Sequence, residues 1–162
     1  MPSRALQIIA LTLTALGLAP GAAHLMEMPV KLAYPPAMYA SVTSTLYAWF
    51  GLVGGPVQVA AALSVAVLAL QARRLSASRL ATASAAALLA SLLLWGLIVA
   101  PVNAAWANAA GSDPAEFAAA YEQLRLRWEY GHAAAFIAWL AGWFALVAAI
   151  TRPLDSGRNT AA

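Results

Sequence analysis

Cysteine is absent from the 162-residue chain. That excludes disulfides, thiolate metal sites and cysteine nucleophiles, and carries no information about compartment. Charge is scarce as well. Charged residues make up 9% of the chain and hydrophobic residues 63%, whereas a soluble domain carries roughly 25% charged residues. Most of the surface therefore meets something other than water. The net charge of +3 comes from basic residues lying beside apolar runs rather than gathered in a patch, which argues against a nucleic-acid partner. No fixed-period solenoid repeat is present. Histidine occurs only at positions 24 and 132.

What the chain has in abundance is uncharged apolar sequence. Four such runs occur, at about 5–26, 46–72, 80–102 and 132–151. A membrane-crossing helix needs about 20 mainly apolar residues. A transmembrane strand would instead alternate polar and apolar positions. The expected fold is all-α, a membrane-spanning four-helix bundle forming a single transmembrane domain over 1–162, with bilayer lipid as its surroundings. Short linkers make sequential spans antiparallel neighbours.

The basic residues orient it. Arg4, Arg73, Arg74, Arg79, Arg152 and Arg158 fall on one side of the alternating spans, and Lys31, Arg125 and Arg127 on the other. The positive-inside rule makes the richer side cytoplasmic, so both termini are expected there. Arg4, the apolar run and Ala19-Pro20-Gly21-Ala22-Ala23 also resemble a signal peptide with its cleavage site. The run is long for that purpose, and Pro20-Gly21 is tolerable inside a packed membrane helix. A retained span is the expectation.

Two segments lie on the opposite, outer side. Residues 28–45 contain Pro29 and Pro35-Pro36 and read as a loop, because proline lacks the donor a helix interior needs. In 103–131, Asp113-Pro114-Ala115-Glu116 forms a helix start, with Asp113 as cap, Pro114 in the first turn and Glu116 completing a capping box. Phe117, Tyr121, Leu124 and Trp128 then recur at helical spacing. This predicts an additional amphipathic helix over about 114–130, running into the last span, with Gly131 as the place for a bend.

The chemistry-bearing residues gather at that outer end. His24 has Glu27 three residues on, and His132 has Glu129 three residues before it. Each pair shares a helix face. Asn103 ends the third span at the same depth, and Trp106 lies one turn beyond. Ordinary explanations exist for each residue alone. Either histidine could be interfacial, Glu129 could pair with Arg125 and Glu27 with Lys31 at helical spacing. Tyr47, Trp49, Trp128 and Tyr130 suit an aromatic belt, and Gly51, Gly54 and Gly55 suit close helix approach. The convergence of two histidine–carboxylate pairs in an otherwise uncharged membrane region favours a functional site.

Three motifs carry a resemblance. Ala22-Ala23-His24-Leu25-Met26-Glu27-Met28-Pro29-Val30-Lys31-Leu32 resembles the end of the first helix in the anthrone oxygenase-like family of small membrane proteins. Pro101-Val102-Asn103 followed by Trp106-Ala107-Asn108 resembles that family's third-helix ending, and Arg127-Trp128-Glu129-Tyr130-Gly131-His132 resembles its approach to the last helix. The three occur in order over most of the chain. Most members are bacterial, which implies a multi-pass protein of the inner membrane. Fungal members oxidise anthrones to anthraquinones with molecular oxygen and without a cofactor. The resemblance thus implies an apolar aromatic small molecule as substrate, and no bound cofactor.

Three functional readings follow. In the first, an oxygenase, His132 or His24 acts as base, Glu129 and Glu27 orient the imidazoles, and Asn103 and Arg127 hold the developing oxyanion. His132 is expected to matter more, having Arg125, Trp128 and Glu129 on its stripe. In the second, His24, Glu27, Glu129 and His132 hold a single transition metal. The third is a non-enzymatic binding or assembly protein. The sequence names neither a substrate nor an oligomeric state.

Overall fold

A computed structural model describes residues 2–75 and 77–152. The protein is an all-α integral membrane protein, with no strand among the described residues. Four helices are long and apolar enough to cross a membrane. The first is α1 (Arg4–Lys31). The second span, Phe50–Ala72, opens with a π-helical turn at Phe50–Gly54 and continues as α3 (Gly55–Ala72). The third, Ser78–Asn108, comprises α4 (Ser78–Leu94), a π-helical turn at Trp95–Val99 and α5 (Ala100–Asn108). The fourth is α6 (Pro114–Thr151). A shorter helix that does not span, α2 (Pro36–Leu46), follows α1. Arg158, one of the orienting cations, lies outside the described residues.

Local sequence accounts for the boundaries. Ser3 Oγ accepts the Leu6 N–H at 3.2 Å and starts α1. Asp113 Oδ1 accepts from the Ala115 and Glu116 N–H groups at 2.9 and 3.1 Å and starts α6, as expected. The segment expected to be a loop at 28–45 is instead mostly helix. Pro29 falls in the last turn of α1, and Pro36 occupies the first position of α2, where no N–H is required.

The amphipathic stretch at 114–130 is helical and continuous with the last span. At 38 residues, α6 measures about 57 Å, from a rise of about 1.5 Å per residue. Gly131, expected as the place for a bend, lies inside this unbroken helix. A Cβ there would lie 2.8 Å from Ile98 Cγ2 and 2.9 Å from Val99 Cγ2, so this glycine lets the third span approach α6.

The four spans form a ring in chain order. α1 packs on α3 and α6, and α4 packs on α3 and α6. Small residues bring the backbones together, as membrane helices require in the absence of a hydrophobic drive between them. A Cβ on Gly17 would come within 2.6 Å of the Trp139 ring, and that indole donates to Thr14 O at 2.9 Å. Ser84 Oγ donates to Gly142 O at 2.8 Å, and Ser91 Oγ to Ala135 O at 2.7 Å, which ties α4 to α6. This closes the half of the bundle nearest the α3–α4 turn. At the other end α2 packs against α6, and the helices enclose a cavity.

Candidate functional site

The cavity measures about 590 Å³ and is lined from all four spans and α2. Its chemistry is concentrated on one wall, where His24 from α1, His132 and Trp128 from α6, and Tyr47 between α2 and the second span meet. The two imidazole centroids are 4.2 Å apart. His24 stacks on Tyr47 at 4.6 Å, and Trp128 stands edge-on to His24 at 4.8 Å. Trp106 extends the aromatic wall, 5.4 Å from Trp128 and stacked on Tyr121 at 4.1 Å.

Hydrogen bonds fix which nitrogen of each imidazole carries the proton. Lys31 Nζ lies 3.5 Å from His24 Nδ1. An ammonium only donates, so Nδ1 accepts and the proton of His24 sits on Nε2. His132 Nδ1 lies 3.0 Å from the Trp128 carbonyl oxygen. A carbonyl only accepts, so Nδ1 carries the proton and Nε2 keeps its lone pair. The two rings thus offer opposite functions through their remaining nitrogens: His24 a donor, His132 an acceptor.

Behind His24 runs a buried polar chain. Lys31 Nζ forms an ion pair with Glu129 Oε1 at 3.0 Å, and Tyr39 from α2 donates to the same oxygen at 3.0 Å. Lys31, Glu129 and Tyr39 are 2%, 1% and 0% exposed. The ammonium also faces the Tyr47 ring at 4.4 Å and the Trp128 ring at 5.0 Å, two cation–π contacts that help offset its desolvation. Burial and the adjacent Glu129 carboxylate push the Tyr39 phenol above its ordinary range. Arg125 lies over the Tyr39 ring at 4.4 Å, donates to Leu32 O and Tyr34 O at 3.1 Å each, and pairs with Glu122, so it fastens the α1–α2 turn to α6.

The expected site residues separate into two groups. His24, His132 and Asn103 line the cavity together. Asn103 Oδ1 accepts from Trp128 Nε1 at 2.8 Å, so it holds the indole rather than awaiting an oxyanion. Glu129 is close by, but its partners are Lys31 and Tyr39. Neither carboxylate orients the histidine three residues away. His24 is held by Lys31 and His132 by a backbone carbonyl. Glu27 has one carboxylate oxygen buried without a hydrogen-bond partner. Arg127 is exposed and lies outside the cavity lining.

The proposed metal set of His24, Glu27, Glu129 and His132 does not assemble. Among the described residues no three His, Cys, Asp or Glu side chains converge. The Lys31 ammonium sits between His24 and Glu129, and its charge opposes a metal cation there. Imidazole centroids 4.2 Å apart also leave no space for a haem between them.

Lys31, Tyr39, Tyr47 and Thr43 are additions to the expected site. Thr43, one turn along α2 from Tyr39, is 6% exposed and lines the cavity. Lys31 was open to recognition, being the only lysine in the chain and seven residues from His24, two helical turns along one face.

No protein-family model, curated protein or solved structure matches the chain. Three sequence motifs, Ala22–Leu32, Pro101–Asn108 and Arg127–His132, reach the cavity. These motifs supply His24, Lys31, Asn103, Trp106, Trp128, Glu129 and His132, all in or beside the cavity wall.

Proposed function

We propose that the protein binds a planar apolar aromatic molecule with an acidic carbon or hydroxyl, and oxidises it with molecular oxygen using side chains alone. The observation that carries this reading is the pair of adjacent imidazoles, 4.2 Å apart, with opposite hydrogen-bonding roles inside an aromatic-walled membrane cavity. His132 Nε2 takes the substrate proton. His24 Nε2–H donates to the substrate oxygen on which negative charge develops, and Lys31, held at His24 Nδ1, reinforces that donor. Tyr47, Trp106 and Trp128 provide ring faces and edges for an aromatic ligand.

For an anthrone-like substrate the step balances without a further reagent. Removal of a proton from the ring CH₂ leaves an electron-rich carbanion. Oxygen adds to give a hydroperoxide at that carbon after reprotonation. Loss of water then yields the ketone, so that CH₂ and O₂ become C=O and H₂O. The His132 imidazolium formed in the first step is the local proton source for the second.

The test is oxygen uptake by the purified protein in lipid nanodiscs supplied with anthrone. The expected result is turnover above the spontaneous rate, reduced about 10²–10⁴-fold in His132→Ala, the usual contribution of general acid–base catalysis. His24→Ala should retain more turnover and bind anthrone more weakly. Binding without oxygen uptake would make this a binding protein for aromatic molecules. Neither binding nor uptake would overturn the reading.

A further inference from the structure

We infer that the cavity is loaded sideways from the bilayer, through a slot between the second and third spans, and that its ligand is a flat, uncharged ring system dissolved in lipid with one polar edge. This deepens the reading of the cavity as an aromatic-ligand site and rests on it.

The two seams of α6 with its neighbouring spans, and the end of α1, are closed. Between α1 and α6, Gly17 lies against Trp139 and Gly21 against Phe136, where an added Cβ would come within 2.6 Å of either ring. Between α6 and the third span, Gly131 lies against Ile98 and Val99. Over the end of α1, the Lys31–Glu129–Tyr39 chain and the Arg125 bonds to Leu32 and Tyr34 hold α1, the turn and α2 onto α6.

The second and third spans differ from the others at the level of the cavity. Each carries a π-helical turn there, Phe50–Gly54 in one and Trp95–Val99 in the other. The first turn packs on α1 and α3, the second on α4, α5 and α6, and no extended contact joins the two. Single π-helical turns inside longer helices occur frequently at functional sites. Gly51, Gly55 and Gly96 line the cavity, and a Cβ built on any of them meets nothing within 4 Å. Close packing does not account for these three glycines; they border open space.

The two π-helical turns carry exposed apolar side chains. Leu52 and Val53 on one side, and Leu97 on the other, are 65%, 57% and 70% exposed. The lining changes character along the helices. Gly55, Val59, Leu92 and Gly96 lie toward the bundle middle, with Gln58 among them donating its amide to Gly17 O at 3.1 Å, while His24, His132 and the buried Thr43 hydroxyl lie toward the end. A ring with oxygen on one edge fits this gradient, its apolar body in the slot and its oxygen toward the imidazoles and Thr43.

The experiment uses full-length protein in nanodiscs and 1-hydroxyanthracene dissolved in the lipid. Stopped-flow tryptophan quenching gives the association and dissociation rates. Gly55→Leu and Gly96→Leu should slow association about tenfold or more, because a narrowed portal obstructs the path by which the ring enters. Gly51→Leu gives a further position with open space should either variant fail to fold. Ala90→Leu, exposed on α4 and outside the lining, should leave both rates unchanged, whereas Ala107→Leu narrows the outer end of the cavity instead. Unchanged rates in the glycine variants, slowing by Ala107→Leu instead, or a weaker Kd with an unchanged association rate would each overturn lateral loading. Absence of probe binding by the wild-type protein would overturn the aromatic-site reading itself, a result distinct from all of these.

Discussion

Lys31 Nζ lies 3.0 Å from Glu129 Oε1, which joins the last turn of α1 to α6 one turn before His132. Both side chains are almost wholly buried, at 3% and 0% exposure. Removing one partner leaves the other as an uncompensated buried charge. Lys31→Met or Glu129→Leu should therefore destabilise the bundle by about 3–5 kcal/mol, and the double substitution should recover part of that loss. Reversible unfolding of the three variants in mixed micelles measures it. Additive losses in the double variant would mean the two charges are not coupled.

Tyr39 shares the same carboxylate oxygen. Its phenol is held above the ordinary value of 10.0. The unfolded phenol therefore ionises first as pH rises, while the folded one keeps its proton. The stability this contributes is fully present below pH 10.0 and is lost as pH rises beyond it. Stability of the wild-type protein should fall through that alkaline range. Tyr39→Phe should flatten the fall, and an unaltered pH profile in that variant would contradict the assignment.

The glycines divide by what surrounds them. A Cβ on Gly17 would sit 2.6 Å from Trp139, and one on Gly142 2.8 Å from Leu88, whereas Gly96 has nothing within 4 Å. Gly17→Ala and Gly142→Ala should each cost about 1–3 kcal/mol through overpacking. Gly96→Ala should stay within about 0.5 kcal/mol of wild type, as substitutions in open surroundings do. Thermal unfolding in detergent should separate the two groups, and similar shifts for Gly17 and Gly96 would contradict the packing described.

The basic residues flanking the spans predict an orientation in the membrane that labelling can test. Arg73 and Arg74 sit in the turn between the second and third spans and Arg79 in the first turn of α4, and Ser112 sits between the third and fourth spans. The chain has no cysteine, so single introduced thiols report cleanly. In Arg79→Cys and Ser112→Cys variants, a membrane-impermeant maleimide added to intact cells should label position 112 and spare position 79. The reverse pattern would invert the topology, and labelling of both from outside would break it.

The four spans and the Asp113 cap were legible in the sequence because each depends on local pattern: an uncharged run, or a side chain beside its own helix start. The second short helix was not. Pro35-Pro36 reads as a loop unless one knows that Pro36 takes the first helical position, where its missing N–H costs nothing. The meeting of His24 and His132 was legible from their equal depth on antiparallel spans. Their partners were not, because side-chain spacing within one helix says nothing of how two helices are rotated against each other. Spacing pairs Lys31 with Glu27, whereas the packed helices pair it with Glu129. Arg127 failed for a related reason. One residue from Trp128 along α6 is a turn of about 100°, enough to carry its side chain to the exposed face.

The proposed chemistry depends on two imidazoles that differ only in which nitrogen holds the proton, His24 through Lys31 and His132 through the Trp128 carbonyl. Nitrogen-15 NMR of histidine-labelled protein in nanodiscs reads this directly, with His24→Gln and His132→Gln used to assign the signals. The prediction is two different neutral tautomers, Nε2–H for His24 and Nδ1–H for His132, with Lys31→Met releasing the first and leaving the second unchanged. The same tautomer on both rings, or a His24 spectrum indifferent to Lys31→Met, would contradict it.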